Sequence, residues 1–528
     1  MPNTSARTCP SVTSKLALNP VQNKQLEAGD HVVVTIQKQS PQGDGIAFCG
    51  DKEIYIPLGL CGEEVEVELG EPFARGSKRC PGKVLRYLKP SVQRVDAADY
   101  ECEAYEQCGG CQLMHVQYTE QLRLKQSDIA AALREVEAAV GRDLEIEHCL
   151  REVVPCNVRP CRFKSLRYFA SDPQHQGQLD LGFYAARSHE LVAVESCPLE
   201  PARFATLSQS LLQCCRELQL PAYDEGAAAA SAAAGAGAVT AVAADAQGQL
   251  RALLWRQGDG DEILGCLIVS GPLPDAAKQA LVQWAEREKV TSFSLGYNSK
   301  AGNALFTSDI ELLHGKAGIT KTLMGLKFNV FVPTFLQVNY EICEQLYQAA
   351  IAHCFAGHDA ENSSLSASSE VSSDVALDLC CGVGTMTLAL AQHFAHVVGV
   401  EIVPEAISAA ADNAQLNCIT NTRFIAADLQ QVLPRLLKEQ KQQGKQVRAI
   451  IADPARVGLG EANVKALAAV AGPCKLSLIF CALPALKRDL PELLKRGFKI
   501  DYVQGFDMFP YSSHVETLVL LSKSEAQA

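Results

Sequence analysis

Three short stretches of this chain carry residues that could do chemistry together. Residues 378–385, DLCCGVGT, predict the end of a buried strand, a glycine turn and the start of a helix, an arrangement that often binds a cofactor. About a hundred residues later the chain places Cys481, a candidate nucleophile, followed by Glu516. Because a cofactor turn and a thiol share one C-terminal region, a covalent, methyl-transferring enzyme is the first hypothesis.

The residues around the glycine turn bear on the choice of cofactor. Gly382 and Gly384 allow a tight turn and close approach of a ligand to the backbone. The next predicted strand ends in Glu401, where an acidic side chain can bind both ribose hydroxyls of an adenosine cofactor. A nicotinamide-dependent dehydrogenase could use the same layout and is a rival. The turn lacks the full G-x-G-x-x-G pattern, however, and Asp453 before proline after the fourth strand favours S-adenosylmethionine.

A cluster of cysteines is the second chemical signal. Cys102, Cys108 and Cys111 have the spacing C-x5-C-x2-C, and Cys197 before proline is a candidate fourth member. Four soft thiolates suit either an iron–sulfur cluster or zinc. Zinc sites usually use two C-x2-C pairs, whereas this chain has one pair, so the spacing favours a 4Fe–4S cluster. Unligated buried cysteines are the remaining alternative. A four-cysteine site is closed, which favours a structural or positioning role over a redox one.

Length and composition limit the class of protein. At 528 residues the chain is too long for one core, and roughly three or four domains are expected. It contains no run of about 18 uncharged apolar residues, and its N-terminus lacks an apolar core of signal-peptide type, so we expect a cytoplasmic protein. In that compartment 21 cysteines predict reduced thiols, metal ligands or catalysis rather than a disulfide scaffold.

Basic residues are concentrated locally although the net charge is −12. Between Glu71 and Arg94 there are seven basic residues and one acidic residue. A second group alternates basic with aromatic side chains: Arg159, Arg162, Phe163, Lys164, Arg167, Tyr168 and Phe169. Basic groups neutralise phosphates and rings stack on bases, which suits single-stranded or looped RNA. The alternative is a solvated basic face beside ordinary core aromatics.

The N-terminal part of the chain predicts an all-β unit behind a mobile segment. Residues 1–25 are expected to form a disordered arm. Residues 26–92 alternate short β-rich runs with Gly and Pro turns, which is typical of a small barrel.

The remainder predicts two further domains. Residues 93–340 mix strands and helices as an α+β domain with the cysteine cluster and a flexible Ala- and Gly-rich insertion near 226–244. Residues 341–528 alternate helices and apolar strands, which predicts a parallel sheet covered on both faces, with a Ser-rich loop near 363–374. The fold class expected from these patterns is multidomain, α/β and β.

The chain resembles the RNA uracil-C5 methyltransferases over residues 28–522. The resemblance is carried by CEAYEQCGGCQLMH with Cys197-Pro198, FLQVN at 335–339, DLCCGVGT, VVGVE, DPARVG, FCALPALKRD and DMFPYSSHVE. It implies a TRAM or OB-like barrel, an iron–sulfur-bearing central domain and a Rossmann-like domain that uses S-adenosylmethionine. Within the family, the members that act on 23S ribosomal RNA are the most similar. Action on another ribosomal uracil or on transfer RNA is the alternative.

The resemblance also implies roles for single residues. Cys481 would add to C6 of uracil so that C5 can attack the methyl group, and Glu516 would then remove the C5 proton. The implied contacts to S-adenosylmethionine are Gln337, Cys380, Thr385, Glu401, Asp428 and Asp453. The implied cluster ligands are Cys102, Cys108, Cys111 and Cys197.

The implied reaction requires an RNA partner and a protein surface that binds it. The target uracil must leave its stack before a thiol can reach C6, so the barrel, the cluster region and residues 162–167 are expected to hold a refolded loop of 23S ribosomal RNA. We expect no membrane partner and a monomer.

One departure from the family pattern lies beside the nucleophile. Members usually have S-C-N-P-A-T-L-A-R-D there, whereas this chain has Phe480-Cys481-Ala482-Leu483 before the shared Arg-Asp pair. Loss of the Asn-Pro could alter the loop or remove a hydrogen bond to the substrate. A catalytically impaired RNA-binding or assembly factor is therefore a rival of another class.

Overall fold

The computed structural model describes residues 7–8, 26–40, 42–172, 177–223, 250–300, 305, 309–355, 372–470 and 472–524. The insertion expected near 226–244 lies outside these ranges, as does most of the Ser-rich loop, although residues 372–374 begin a strand. Of the arm expected over 1–25, only Arg7–Thr8 is described, and it pairs with Lys38 and Gln39.

The N-terminal unit is a small barrel. Its strands are β1 (Arg7–Thr8), β2 (His31–Gln39), β3 (Gly45–Cys49), β4 (Lys52–Ile56), β5 (Glu64–Leu69) and β6 (Arg79–Lys89). The sheet runs β1-β2-β3-β4-β6-β5, and β2 also pairs with β5, which closes it. Along β2 every second side chain is buried over most of the strand, because one face of the closed sheet forms the core.

The central part contains a second sheet backed by helices. Its elements are a 3-10 turn (Ala97–Asp99), α1 (Tyr118–Val140), α2 (Ile146–Cys149), β7 (Leu150–Val154), β8 (Lys164–Asp172), β9 (Gln178–Tyr184), β10 (Leu191–Ala193), α3 (Ala202–Glu217), β11 (Leu250–Gln257), β12 (Ile263–Val269), α4 (Asp275–Arg287), β13 (Ser292–Tyr297), β14 (Ile310–Gly315), β15 (Ile319–Leu323) and β16 (Leu326–Val330). Seven strands form one sheet in the order β10-β9-β8-β11-β12-β13-β14, and β15 and β16 form a separate hairpin. Trp255 and Trp284 are buried with Phe204 in the core between this sheet and α3 and α4.

The C-terminal part is an open, mostly parallel sheet. Its elements are α5 (Tyr340–Phe355), β17 (Ser372–Leu379), α6 (Thr385–Leu390), β18 (Phe394–Glu401), α7 (Pro404–Leu416), β19 (Thr422–Ala426), α8 (Leu429–Gln442), β20 (Val447–Ala452), α9 (Glu461–Ala468), β21 (Cys474–Phe480), α10 (Leu483–Lys495), β22 (Lys499–Phe506) and β23 (Glu516–Lys523). The order is β19-β18-β17-β20-β21-β23-β22-β7, with β17 to β21 parallel and β23 antiparallel to its neighbours. Open sheets of this type bind ligands beyond the carboxyl ends of the strands.

Two earlier segments join this sheet from the other side of the expected boundary at residue 341. Strand β7 pairs in parallel with β22 as the eighth strand, and α1 packs against α10. The Nζ of Lys125 on α1 lies 2.5 Å from Oδ1 of Asp507, and both side chains are fully buried. The central and C-terminal parts therefore share structure. No helix in the described ranges is both long and apolar enough to cross a membrane.

Candidate active site

The sheet brings Cys481 and Glu516 together. Strand β21 ends one residue before Cys481, and β23 begins at Glu516. Their antiparallel register ends with Phe480 opposite Thr517, so the next position outward sets Cys481 opposite Glu516. A thiol and a carboxyl therefore stand side by side at the edge of the sheet where ligands bind.

The carboxyl of Glu516 is buried and lacks a full set of partners. It is 3% exposed, and its Oε2 has no hydrogen-bond partner among the described residues. Burial, together with the nearby Asp453 and against the opposing charge of Arg456, raises the pKa of Glu516 to about 8. Buried polar atoms in native proteins are nearly always satisfied, so an orphaned oxygen here indicates a place for water or a substrate.

Burial, together with the nearby carboxyl groups of Glu516 and Asp453, raises the pKa of Cys481 to about 11. The positive charge of Arg456 acts in the opposite direction. At neutral pH the resting site therefore holds a neutral thiol beside a largely protonated carboxyl, and a nearby cation favours the reactive thiolate.

Two cleft residues were not singled out from the sequence. Arg456 and His514 line the same cleft as Cys481. Burial lowers the pKa of His514, and the positive charges of Arg456 and Lys125 lower it as well. His514 is therefore neutral near pH 7. Both residues lie inside motifs that the sequence contains, DPARVG and DMFPYSSHVE, but a motif does not reveal which of its side chains face the cleft.

Strand ends β17 and β18 build the turn expected to bind the cofactor. The carboxylate of Glu401 accepts hydrogen bonds from the backbone N–H groups of Gly382 at 3.1 Å, Ile402 at 2.9 Å and Val403 at 3.1 Å. Cys380 occupies the left-handed region with φ 67, which is unusual for a residue other than glycine. Its thiol is neutral because burial raises its pKa to about 12.

Gln337 and Asp453 meet between the FLQVN segment and β20. Nε2 of Gln337 lies 3.5 Å from Oδ2 of Asp453, and the Tyr347 hydroxyl lies 3.4 Å from the same oxygen. Burial raises the pKa of Asp453 to about 6. Asp453 also acts electrostatically on Cys481 and Glu516, so this group of polar side chains lies near the thiol and the carboxyl.

Thr385 and Asp428 complete the set of expected cofactor contacts. Thr385 is buried as the first residue of α6. Asp428 precedes α8, and its Oδ1 accepts the N–H of Gln430 at 2.9 Å, so this carboxylate also caps a helix. The N–H of Ala427 donates to the carbonyl of Glu401 at 2.9 Å, which holds Asp428 beside the ribose-binding candidate.

A cleft of about 680 Å³ leads to the nucleophile. Its walls come from the barrel turn at residues 42–44, the cysteine loop at residues 102–112, the β9–β10 turn with Arg187, and the nucleophile loop at residues 481–484. The barrel, the central part and the C-terminal part therefore all contribute walls to the cleft that contains Cys481. The volume lies within the usual range for ligand sites and accommodates a base with its flanking backbone.

The four cysteines of the expected cluster line one smaller cavity. Cys102, Cys108, Cys111 and Cys197 surround about 40 Å³ together with Arg162 and apolar side chains. Burial raises the pKa of Cys111 and of Cys197 to about 12, so these thiols are neutral without a cation. No set of three or more His, Cys, Asp or Glu side chains within the described ranges is arranged to hold a metal ion. Four thiols around one cavity are donors of the type that holds an iron–sulfur cluster.

The basic stripe of the barrel is matched by acidic residues. The β5–β6 register sets Glu64 opposite Lys89, Glu66 opposite Arg86 and Glu68 opposite Lys83. Arg79, the first residue of β6, forms an ion pair at 3.0 Å with Glu53 of the neighbouring β4. The excess of positive charge predicted from residues 71–94 is therefore reduced, because the pairing acids lie elsewhere in the sequence.

The prediction that residues 162–167 offer an RNA-binding surface is wrong for Arg167. This side chain is 1% exposed and donates to Glu200 at 2.8 Å inside the central domain. Burial also lowers the pKa of Lys164 to about 8, and Arg162 faces the cysteine cavity. Along β8 alternate side chains point inward, so a basic run in sequence does not form one basic face.

Known proteins are similar to this chain over most of its length. The family described as tRNA (Uracil-5-)-methyltransferase matches residues 335–524. An uncharacterised RNA methyltransferase of Halalkalibacterium halodurans is 31% identical over 509 residues, covering 95% of this chain and 98% of that protein. One from Listeria monocytogenes is 30% identical over 505 residues, covering 95% and 98%.

Among solved structures, a tRNA (uracil-54, C5)-methyltransferase of Pyrococcus abyssi with S-adenosyl-L-homocysteine is similar in fold. The TM-score is 0.63 at 20% identity, with 93% of this chain and all of that chain covered. At that identity the likeness concerns the fold.

Proposed function

The chain belongs to the RNA uracil-C5 methyltransferases, which use S-adenosylmethionine, and on that basis we propose that it forms 5-methyluridine in 23S ribosomal RNA. The proposed reaction passes through a covalent adduct between Cys481 and C6 of the target uracil. One observation carries the proposal. The register of β21 and β23 sets Cys481 opposite the buried Glu516, whose Oε2 lacks a partner among the described residues.

The chemistry explains why a thiol and a base are both required. Carbon C5 of uracil is too weak a nucleophile to take a methyl group directly. When the thiolate of Cys481 bonds to C6, the electron pair moves through the ring towards O4 and C5 becomes nucleophilic. After C5 has taken the methyl group, Glu516 removes the C5 proton, and the electrons of that bond expel the thiolate from C6.

The methyl donor is proposed to lie against the ends of β17 and β18. Its holding residues are Gln337, Cys380, Thr385, Glu401, Asp428 and Asp453. A carboxylate has about four lone-pair sites, so Glu401, which already accepts three backbone N–H groups, keeps about one site for a ribose hydroxyl. S-adenosylmethionine supplies an electrophilic methyl group when bound there.

We further propose that Cys102, Cys108, Cys111 and Cys197 hold a 4Fe–4S cluster with a structural role. The support is that all four thiols line one cavity in which soft donors outnumber other polar groups. Iron and acid-labile sulfide bound by the anaerobically purified wild type, and lost in Cys108→Ala, would support the cluster. Zinc at one ion per chain, or no metal at all, would contradict it.

The substrate is proposed to reach Cys481 through the cleft between the barrel, the cysteine loop and the nucleophile loop. A flipped uridine in a single-stranded or looped segment fits this arrangement, because a duplex keeps C6 out of reach. We propose that the protein binds this RNA in the cytoplasm and that it acts as a monomer. The Pyrococcus neighbour is named for transfer RNA, so transfer RNA is the second candidate substrate.

The direct experiment is methyl transfer from labelled S-adenosylmethionine to unmodified transcripts of 23S ribosomal RNA and of transfer RNA. Wild-type protein is expected to label 23S RNA, and Cys481→Ala is expected to label neither. Labelling of transfer RNA alone would move the substrate proposal to that class.

The rival function, an impaired RNA-binding or assembly factor, has one observation in its favour. Ala482 replaces the asparagine that the family usually places beside the nucleophile, and it lines the cleft. Binding of both the methyl donor and 23S RNA by the wild type, without any transfer, would support that rival.

A further inference from the structure

Two oppositely charged side chains from distant parts of the chain meet at the mouth of the cleft. Arg187, in the turn between β9 and β10, donates from its Nη2 to Oδ2 of Asp44, in the barrel turn between β2 and β3. The Arg187 side chain is 60% exposed, whereas that of Asp44 is 11% exposed. Both residues line the cleft that contains Cys481.

The backbone beneath this pair is fixed by close packing. A Cβ added to Gly43 would lie 3.2 Å from Cβ of Gln112, and one added to Gly109 would lie 2.9 Å from Cα of Ala186. The cysteine loop is thus wedged between the barrel turn and the β9–β10 turn. The backbone position of Arg187 is therefore set, while its long side chain faces solvent.

The balance of charge along the cleft is unfavourable for RNA as it stands. Arg187 and Arg456 are its cationic side chains among the described residues, against Asp44, Glu106 and Asp128. Arg456 lies beside the thiol and the base, where its charge acts on Cys481 and Glu516. Arg187 is the remaining cation, and its charge is paired with Asp44.

We propose that Arg187 binds a backbone phosphate of the RNA strand next to the target uridine, and that Asp44 competes with that phosphate for the guanidinium. This inference rests on the proposed function, since it assumes that RNA enters the cleft. A guanidinium binds phosphate at two oxygens, and each contact displaces counterions. The competing carboxylate raises selectivity, because only a strand that also makes its other contacts displaces it.

A purely structural role for the pair fits the observations less well. Ion pairs with one side chain largely in water contribute little to stability. Other contacts already attach the barrel to the central part. The buried Glu63 receives two hydrogen bonds from Arg94, and Leu60 packs with Leu113 and Leu124.

The test compares RNA affinity and its salt dependence for full-length variants with transcribed, unmodified 23S RNA. Arg187→Gln is expected to bind several-fold more weakly and to lower the slope of log K against log salt by about 0.7, the value for one single-stranded phosphate contact. Asp44→Asn is expected to bind several-fold more tightly. The double variant is expected to match Arg187→Gln, because the competitor matters only while Arg187 is present. Arg496→Gln, which breaks the exposed pair with Glu492, is the matched control and should bind as wild type does.

Three outcomes would overturn the inference. They are an unchanged RNA affinity in Arg187→Gln, weaker RNA binding in Asp44→Asn, or a gain in RNA affinity from Asp44→Asn that is as large in the Arg187→Gln background as in the wild type. Failure of the proposed function is distinguishable, because methyl transfer is measured separately. If the wild type transfers methyl groups but Arg187→Gln binds RNA as the wild type does, only this inference is contradicted. If the RNA affinities are as expected but no methyl group is transferred, only the catalytic proposal is contradicted.

Discussion

The carbonyl oxygen of Tyr511 accepts a hydrogen bond from the backbone N–H of Gln112 at 2.8 Å. Gln112 follows the last cysteine of the cysteine loop, and Tyr511 lies in the segment that leads from β22 to Glu516. The Tyr511 backbone occupies the left-handed region with φ 63, and its N–H donates to the buried Gln121 at 3.1 Å. The cysteine loop and the base are therefore held at a fixed separation by one strained residue.

The ion pair between Lys125 and Asp507 anchors the beginning of the same segment. Lys125→Met leaves the Asp507 carboxylate buried and without its cation, so we expect the free energy of unfolding to fall by about 3–5 kcal/mol. Urea denaturation monitored by fluorescence measures the change. Lys465→Met, at an exposed helix pair, is the control and should cost less than about 0.5 kcal/mol. A loss as small in Lys125→Met would contradict the anchoring role.

The rate of methyl transfer is expected to rise with pH. Both Cys481 and Glu516 must lose a proton, and burial holds their pKa values at about 11 and about 8. We therefore expect kcat/KM to increase from pH 6 upwards with a change of slope near pH 8. In Glu516→Gln the inflection should disappear, and the enzyme–RNA adduct should accumulate because its C5 proton is retained. A profile that falls above pH 7 would be inconsistent with this assignment.

Arg456 is expected to act through its charge. It lowers the pKa of both Cys481 and Glu516, so Arg456→Gln should raise both and shift the rising limb of the profile to higher pH. A tenfold loss of kcat/KM at pH 7, partly recovered at pH 9, corresponds to about 1.4 kcal/mol. Equal losses at both pH values would indicate a contact to RNA instead of an effect on the thiol.

Protein stability should show the reverse pH dependence at Glu516. Its pKa is raised from 4.5 to about 8 on folding, so between these values the folded state keeps a proton that the unfolded state has released. This contribution is fully present below pH 4.5 and is lost as pH rises through 8, at about 1.4 kcal/mol per unit. The Tm of Glu516→Gln relative to wild type should therefore increase between pH 5 and pH 8.5. A constant difference would mean that the carboxyl is not protonated when folded.

Local patterns predicted the C-terminal strands well, because β17, β18 and β20 are apolar runs that end in turn residues. The same patterns gave no sign of β7, a five-residue strand whose partner β22 lies more than three hundred residues away. Charge was predicted least well. Arg167 is neutralised by Glu200, and this pairing is visible only once the segment before α3 is packed against β8.

The covalent step is tested most directly with 23S RNA in which uridine is replaced by 5-fluorouridine, incubated with S-adenosylmethionine. Fluorine at C5 cannot leave as a proton, so the adduct cannot resolve. Mass spectrometry of the digested complex is expected to find a nucleotide attached to the peptide that contains Cys481, and none with Cys481→Ala. No adduct in the presence of bound RNA, or an adduct on another cysteine, would contradict the assignment of Cys481 as the nucleophile.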